Sequence, residues 1–322
     1  MSFSPKISFV IPLYNEEGNF DALISRLNPI MDQLNLPCEV VLVDDGSTDS
    51  TPVFMSNLAL SDARYQAIFL SRNHGHQLAL SAGFKMANAS EAILVLDGDL
   101  QDSPEMIFKM LEKMKEGFDV VYGVRKNRKE AWIKKVAYHT FYRLMQLFAK
   151  IDLPLDSGDF ALVNRKVVNY LNQMPEQNRY LRGMRAWVGF KQIGIPYERE
   201  GRYAGKTKYS FRKLLELAYS GIFNFSDLPI KFITRLGILT ILISLFYLIY
   251  VLVSKFFYNN VPTGFTATFM AIVMFSGVQL ISLGIIGEYV LRIFQQSQQR
   301  PLFIIDKIIK NQTLHHGQEL LP

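Results

Sequence analysis

The chain has 322 residues, a formal net charge of +6 and a pI near 9.2, a balance suited to an anionic partner such as nucleic acid or a membrane surface. Its one cysteine, Cys38, excludes an internal disulfide and any multi-cysteine metal site. Hydrophobic residues make up 49 % and the mean hydropathy is +0.10, high for a soluble enzyme, and the excess is confined to two late apolar runs.

In chain order, the N-terminus MSFSPKISFV lacks the basic start and long apolar core of a signal peptide, so a cytoplasmic start is expected. The runs ISFVI (7–11), EVVLV (39–43), QAIFL (66–70), AILVL (92–96) and FDVVYG (118–123) predict short strands, with helical patterns between them. The clearest helix opens at Ser103-Pro104 and closes at Gly117. This alternation predicts an α/β fold with a mostly parallel, doubly wound sheet, in which ligands bind beyond the carboxyl ends of the strands.

The residues at those ends are PLYNEE, DDGSTD, SRNHGHQ and DGDLQD. No G-x-G-x-x-G follows the first strand, so the dinucleotide fingerprint is missing. Instead Asn15, Glu16, Asp44, Asp45, Asp97 and Asp99 gather along one edge. Acids so concentrated repel one another unless a cation sits among them, and magnesium takes one or two carboxylates plus substrate phosphates. The pattern predicts a metal-bound diphosphate. The plainer alternatives are helix N-terminal charge for Asp97 and Asp99, and a turn with Gly46 for Asp44 and Asp45. His74 and His76, flanking a glycine, read as loop residues near the nucleotide.

Beyond the fifth strand, Ile133, Ala137, Phe141, Leu144 and Phe148 share one helical face, with Lys134, Lys135 and Arg143 elsewhere. A basic amphipathic helix near 131–150, and a second near 210–229, fit a membrane surface better than nucleic acid. Leu236 to Val253 is 18 residues without a charge, and Phe265 to Ile286 is a second uncharged run. A bilayer core takes roughly 20 apolar residues per helix, so both predict transmembrane helices, a hairpin over 231–290. Basic residues flank the pair, which places both termini, including a tail over 291–322, on the cytoplasmic side. Glu288 is expected to pair with Arg292, four residues on.

Taken together, these stretches resemble the family-two glycosyltransferases of the GT-A fold. With the hairpin, the chain resembles the polyprenyl-phosphate glycosyltransferases, the group of dolichyl-phosphate mannose synthase and the bacterial undecaprenyl-phosphate transferases. The resemblance implies a GT-A catalytic domain over 1–230. It implies that Pro12, Tyr14, Asn15, Glu16, Asp44 and Asp45 hold a nucleotide sugar. Asp97 and Asp99 would bind Mg²⁺ or Mn²⁺ bridging its diphosphate, with Gln101 close by. LDSGDFALVNR resembles the acceptor-side acidic segment and offers Asp156 and Asp159, which also read as a turn. RYAGKTKYS resembles the family's R-x-x-G-x-S-K-Y element through Arg202, Lys208 and Tyr209, while Lys206 and Thr207 stand where Glu and Ser are more usual.

The implied activity is inverting transfer of one sugar to polyprenyl phosphate at the inner membrane, glucose from UDP-glucose being the first choice. The donors UDP-aminoarabinose, UDP-GlcNAc and GDP-mannose are alternatives. The acceptor phosphate is already anionic and scarcely needs a base, so Asp156 or Asp159, with Asp99 at the metal, would orient groups rather than remove a proton. Arg125, Arg128 and Arg202 are the phosphate-gripping candidates, because a guanidinium fork binds two oxygens at once. A processive polysaccharide synthase is disfavoured because its Q-x-x-R-W is absent, RGMRAW (182–187) being the nearest string. A silent scaffold is disfavoured by the intact acids. Partners are thus a nucleotide sugar, polyprenyl phosphate and the bilayer, without nucleic acid; a homo-oligomer is left open.

Overall fold

A computed structural model describes residues 4–126, 157–198, 228–258 and 264–316. The expected strands appear as β1 (Ile7–Leu13), β2 (Cys38–Asp44), β3 (Tyr65–Leu70), β4 (Ala92–Val95) and β5 (Val120–Lys126). Between them run α1 (Glu17–Gln33), α2 (Thr51–Ser61), α3 (His76–Met86) and α4 (Ile107–Lys115). The helix expected from Ser103-Pro104 begins as a 3-10 turn over Pro104–Met106 before α4 takes over. The chain then turns at Gly117, whose φ of 95° is a conformation that glycine adopts without steric cost.

Four further strands follow: β6 (Ser157–Asn164), β7 (Gln192–Glu198), β8 (Ile305–Lys310) and β9 (Thr313–His316). The sheet order is β7-β5-β6-β4-β1-β2-β3-β8-β9. The centre, β4-β1-β2-β3, is parallel, as the alternating sequence predicts. Antiparallel pairing enters with β6, between β4 and β5, and with β8, beside β3. Strand β8 belongs to the stretch expected to be a tail; instead it covers the open edge of β3 and removes an exposed ladder.

Every residue of β1, β2 and β3 is buried, so helices must cover both faces. On one side Phe9 and Leu42 pack with Leu23 and Leu27 of α1, Met55 of α2 and Met110 of α4. On the other, Val10 and Val41 pack with Leu80 of α3, Val168 of α5 (Arg165–Gln173) and Met184 of α6 (Leu181–Trp187). Helix α5 is capped by Asn164, whose side chain accepts from the Lys166 N–H at 3.0 Å.

Two long helices complete the chain, α7 (Leu228–Tyr258) and α8 (Phe265–Ser297), and they touch one another. Among the described residues one stretch, Met274–Ser297, is long and apolar enough to cross a membrane, and none of it is buried within the chain. Its side chains stand open, with Leu280 70 % and Leu283 64 % exposed. A soluble core helix would hide them, whereas a bilayer covers them. Two touching helices thus stand where the transmembrane hairpin is expected, but among the described residues only the second carries a candidate span. The expected Glu288–Arg292 pair forms at 2.8 Å. The proposed interfacial helices near 131–150 and 210–229 lie outside the described residues, apart from the opening of α7 at the end of the second.

Candidate active site

The sheet brings the polar segments together at one edge. Asp44 ends β2, and its Oδ1 accepts from the Ser47 N–H at 3.1 Å. Asp45 Oδ1 accepts from the His74 N–H at 2.7 Å, and its Oδ2 from the Gly75 N–H at 3.0 Å. Burial raises the carboxyls of both Asp44 and Asp45, with those hydrogen bonds opposing it. The DDGS stretch is therefore a turn as well as a site edge. Gly46 sits at φ 72°, and a Cβ there would lie 2.6 Å from the backbone of Arg72 and Asn73.

After β1, Pro12 still lies in the strand and Tyr14 stands 37 % exposed. Asn15 takes φ 51°, its N–H donating to Ser47 Oγ at 2.9 Å while its Oδ1 accepts from the Thr48 N–H at 2.8 Å. Glu16 donates its N–H to Thr51 Oγ1 at 2.9 Å. The loops after β1 and β2 thereby form one cross-braced wall.

Beyond β4 the backbone passes through Asp97, Gly98 and Asp99. Gly98 sits close against β1, and a Cβ there would stand 2.3 Å from Leu13 Cδ2, so a larger residue would require that side chain to move. Asp99 is buried, and its Oδ1 accepts from the Gln101 N–H at 3.2 Å. The antiparallel register of β4 with β6 ends at Val95 opposite Ala161, two residues short of Asp97 and of Asp159, and His76 reaches both acids just beyond it. Asp159 lies in a strand, not in the turn that DSGD suggests. Its Oδ1 accepts from Arg182 Nε at 2.9 Å and its Oδ2 from Gln77 Nε2 at 3.1 Å.

His76 stands between the two acids. Its Nε2 is 3.6 Å from Asp97 Oδ1 and 3.4 Å from Asp159 Oδ2. Burial disfavours the imidazolium, but the Asp159 hydrogen bond and the charges of Asp97 and Asp159 outweigh it and push His76 up to about 9. Asp97 moves up to about 6: burial raises it, His76 opposes, and Asp102, Asp159 and Asp99 add repulsion. Asp159 goes the other way, since the Arg182 charge and the His76 and Arg182 hydrogen bonds outweigh burial and hold it well below the usual carboxylate range.

A second layer supports the acids. Tyr197 on β7 donates its hydroxyl to the buried Asp102. Arg125 is its neighbour in the β5–β7 register and is held charged, against burial, by Asp102 and Tyr197. Behind Arg182 lies Arg185, 4 % exposed and set over the Tyr122 ring at 5.5 Å; burial lowers it to about 10.

Among the described residues, no three Asp, Glu, His or Cys side chains form a complete metal cage. The donor set suits an ion that takes two carboxylates and fills its other positions from substrate phosphates. Burial is the main cause of the lift on Asp97, and the smaller repulsion from Asp102, Asp159 and Asp99 is what such an ion would relieve.

Sequence reasoning set Asn15, Glu16, Asp44, Asp45, Asp97 and Asp99 along one edge, and the structure places them just at or beyond the ends of β1, β2 and β4; Gln101 and Asp159, offered by the family resemblance, lie beside Asp99 and His76. Sequence reasoning missed His76, Gln77, Arg182 and Tyr197. In the sequence His76, within SRNHGHQ and without a second histidine cluster, reads as a loop residue near the nucleotide; the structure makes it the first residue of α3 instead. Arg182 sits within RGMRAW, whose only local signal is its partial likeness to the absent Q-x-x-R-W. Asp156, Arg128, Arg202, Lys208 and Tyr209 lie outside the described residues.

The sequence profile of glycosyl transferase family 2 matches residues 8–171. An uncharacterized glycosyltransferase of Bacillus subtilis (strain 168), YkcC, is 42 % identical over 99 % of this chain and 100 % of its own length. The prophage bactoprenol glucosyl transferase homolog of Escherichia coli (strain K12) is 32 % identical over 95 % of this chain and 100 % of its own. The bactoprenol glucosyl transferase of Shigella phage SfV is 33 % identical over 93 % and 98 %. A solved mannosyl-3-phosphoglycerate synthase from Rubrobacter xylanophilus overlays with a TM-score of 0.45 at 16 % identity, covering 68 % of this chain and 72 % of that one. On the matched profile and the full-length relatives, with the acids at the carboxyl ends of a mixed α/β sheet, the chain belongs to glycosyl transferase family 2.

Proposed function

We propose that the chain transfers a single glucose from UDP-glucose to a polyprenyl phosphate, with inversion, at the cytoplasmic face of the membrane. The observation that carries this reading is the convergence of Asp97 and Asp159 on His76, at 3.6 and 3.4 Å, in a chain whose α8 presents bare apolar side chains. The relatives named as bactoprenol glucosyl transferases point to the same acceptor and sugar.

In this reading the wall of Asn15, Glu16, Asp44 and Asp45 receives the nucleotide. Asp97 and Asp99 would hold Mg²⁺ or Mn²⁺. Such an ion, when bound, supplies charge neutralisation for the diphosphate leaving group. Asp159 is a poor base, because its oxygens already accept from Arg182 and Gln77 and its proton affinity is depressed. Its role is to orient the acceptor side and stabilise positive charge developing on the sugar. A phosphate acceptor is anionic near neutral pH and needs no proton removed. Arg125, with Arg128 and Arg202, is assigned to phosphate. Helix α8, with α7 beside it, anchors the domain so that both termini face the nucleotide-sugar pool.

The test is radiolabelled transfer into an organic-extractable lipid, with purified full chain in vesicles containing polyprenyl phosphate. UDP-glucose, UDP-aminoarabinose, UDP-GlcNAc and GDP-mannose are offered separately with Mg²⁺ or Mn²⁺. Label in lipid from UDP-glucose alone is the expected result; label from another donor replaces the sugar assignment, and label in a water-soluble polymer overturns the acceptor. A reporter placed at residue 260 should lie outside and reporters at both termini inside.

A further inference from the structure

Helix α8 grips the loop that leads into the active site. Gln296 Nε2 donates to the Pro175 carbonyl at 2.9 Å, while its Oε1 accepts from the Gln177 N–H at 3.1 Å. Gln177 Nε2 donates to the Arg300 carbonyl, just past the end of α8, at 2.7 Å. Asn178 Nδ2 donates to Gln295 Oε1 at 3.3 Å. These contacts bridge more than a hundred residues of sequence and join the candidate membrane helix to the catalytic domain.

The gripped loop opens directly onto the acid. Three residues beyond Asn178, the Leu181 N–H donates to Gln77 Oε1 at 2.9 Å, and the other end of that amide, Nε2, donates to Asp159 Oδ2 at 3.1 Å. The next residue, Arg182, donates to Asp159 Oδ1. Between loop and helix, Arg179 is buried and donates to the Leu171 carbonyl at 2.5 Å, which holds the loop against α5. Hydrogen bonds at both ends of the segment 175–181, joined through its backbone, thus link α8 to Asp159. An exposed hydrogen bond alone is weak, but several converging on a few residues restrict one another.

We propose that Gln77 and the Gln177–Gln296 pair are positioning residues that couple the seating of α8 to the placement of the Asp159 carboxylate. The consequence for function rests on the reading of Asp159 as the acceptor-side acid. With α8 seated, the loop fixes the start of α6, Gln77 and Arg182 hold both oxygens of Asp159, and transfer proceeds at full rate. With the grip released, the braces of the nucleotide wall from Asn15 to Ser47 and Thr48 and from Asp45 to His74 stay in place, because they join the loops after β1, β2 and β3. The effect should fall on turnover, not on donor binding.

The experiment uses the full chain in phosphatidylethanolamine–phosphatidylglycerol vesicles, with Gln77→Met, the double variant Gln177→Ala/Gln296→Ala, and the triple. Gln77→Met keeps the bulk while removing both polar ends. Hydrogen exchange over residues 180–187 is the first readout, and roughly tenfold faster exchange is expected in each variant, since local opening sets this rate. Transfer kinetics are the second: kcat should fall about three- to tenfold in the double variant with donor KM unchanged. In the triple, the grip's added loss should shrink below about twofold, because coupled residues are not additive. If the double variant does not fold, Gln296→Glu replaces it, setting an acceptor against the Pro175 carbonyl. Unchanged exchange over 180–187, or losses that simply multiply in the triple, would overturn the coupling. Asp159→Asn is measured alongside: full transfer in that variant sinks the reading of Asp159, whereas the exchange result still decides the coupling.

Discussion

Arg182 Nε lies 2.9 Å from Asp159 Oδ1, and both side chains are largely shielded, at 17 % and 8 % exposure. The pair fixes a negative charge on the far side of His76 from Asp97. A charge-assisted hydrogen bond of this kind is worth roughly 1.5–3 kcal/mol, about ten- to hundredfold in rate. Arg182→Lys keeps the charge but not the planar fork, so kcat should drop about tenfold while donor KM holds. Asp159→Asn should drop it about a hundredfold or more. Wild-type turnover in Asp159→Asn would remove the acid from the mechanism.

Asp97→Asn or Asp99→Asn takes one negative oxygen ligand from the proposed cation site. Transfer should collapse while the circular dichroism spectrum and melting curve survive, and EDTA should do the same to the wild type. Titrating Mg²⁺ or Mn²⁺ back should restore the wild type and leave the variants weak. Full transfer in EDTA would rule the ion out.

Acid stability should report Asp159. Its carboxyl is held below the ordinary range against burial, chiefly by the Arg182 charge. A depressed group contributes stability above its unfolded pKa of about 3.9 and loses it as pH falls below that value. Stability should therefore decline from about pH 4 downward, and Arg182→Met should lose less than the wild type over that window. Chemical denaturation at a series of pH values checks this; superimposable acid limbs would show that the pair is not what holds the carboxylate.

Tyr197→Phe keeps a ring that packs on Phe160 at 5.4 Å but removes the hydroxyl donated to buried Asp102. The loss of a buried hydrogen bond to a carboxylate should cost about 1–3 kcal/mol in denaturation. Because Asp102 adds to the repulsion on Asp97, the metal dependence should shift as well. A variant identical to wild type in both would make the Tyr197–Asp102 contact incidental.

Arg202 carries the remaining expectation, drawn from sequence alone. EREGRYAGKTKYSF sets Arg199, Arg202, Lys206, Lys208 and Arg212 close together with two glycines. Arg202→Ala should lower transfer about ten- to hundredfold, with poor rescue by lysine. A rise confined to acceptor KM places it on the lipid side, and one confined to donor KM on the nucleotide side. Unchanged KM for both, at full rate, would remove it from the phosphate site.

The sequence by itself determined the parallel centre of the sheet and the acids at its edge. Runs such as EVVLV and AILVL are buried on both faces, and their polar exits must leave at the carboxyl ends. It also determined the apolar character of α7 and α8, which is local composition. Tertiary structure alone decided that β6 enters antiparallel between β4 and β5, bringing Asp159 to the same histidine as Asp97 from 62 positions along the chain. DSGD looks like a turn because short-range composition carries no information about the strand it will pair with. Likewise β8 gave no strand signal strong enough to stand out, since its pairing with β3 is formed by contacts about 240 residues apart, beyond the reach of any local pattern. The positions of His76, Gln77 and Arg182 around one carboxylate follow from the packing of α3 and α6 on the same face of the sheet, and only the fold could decide them.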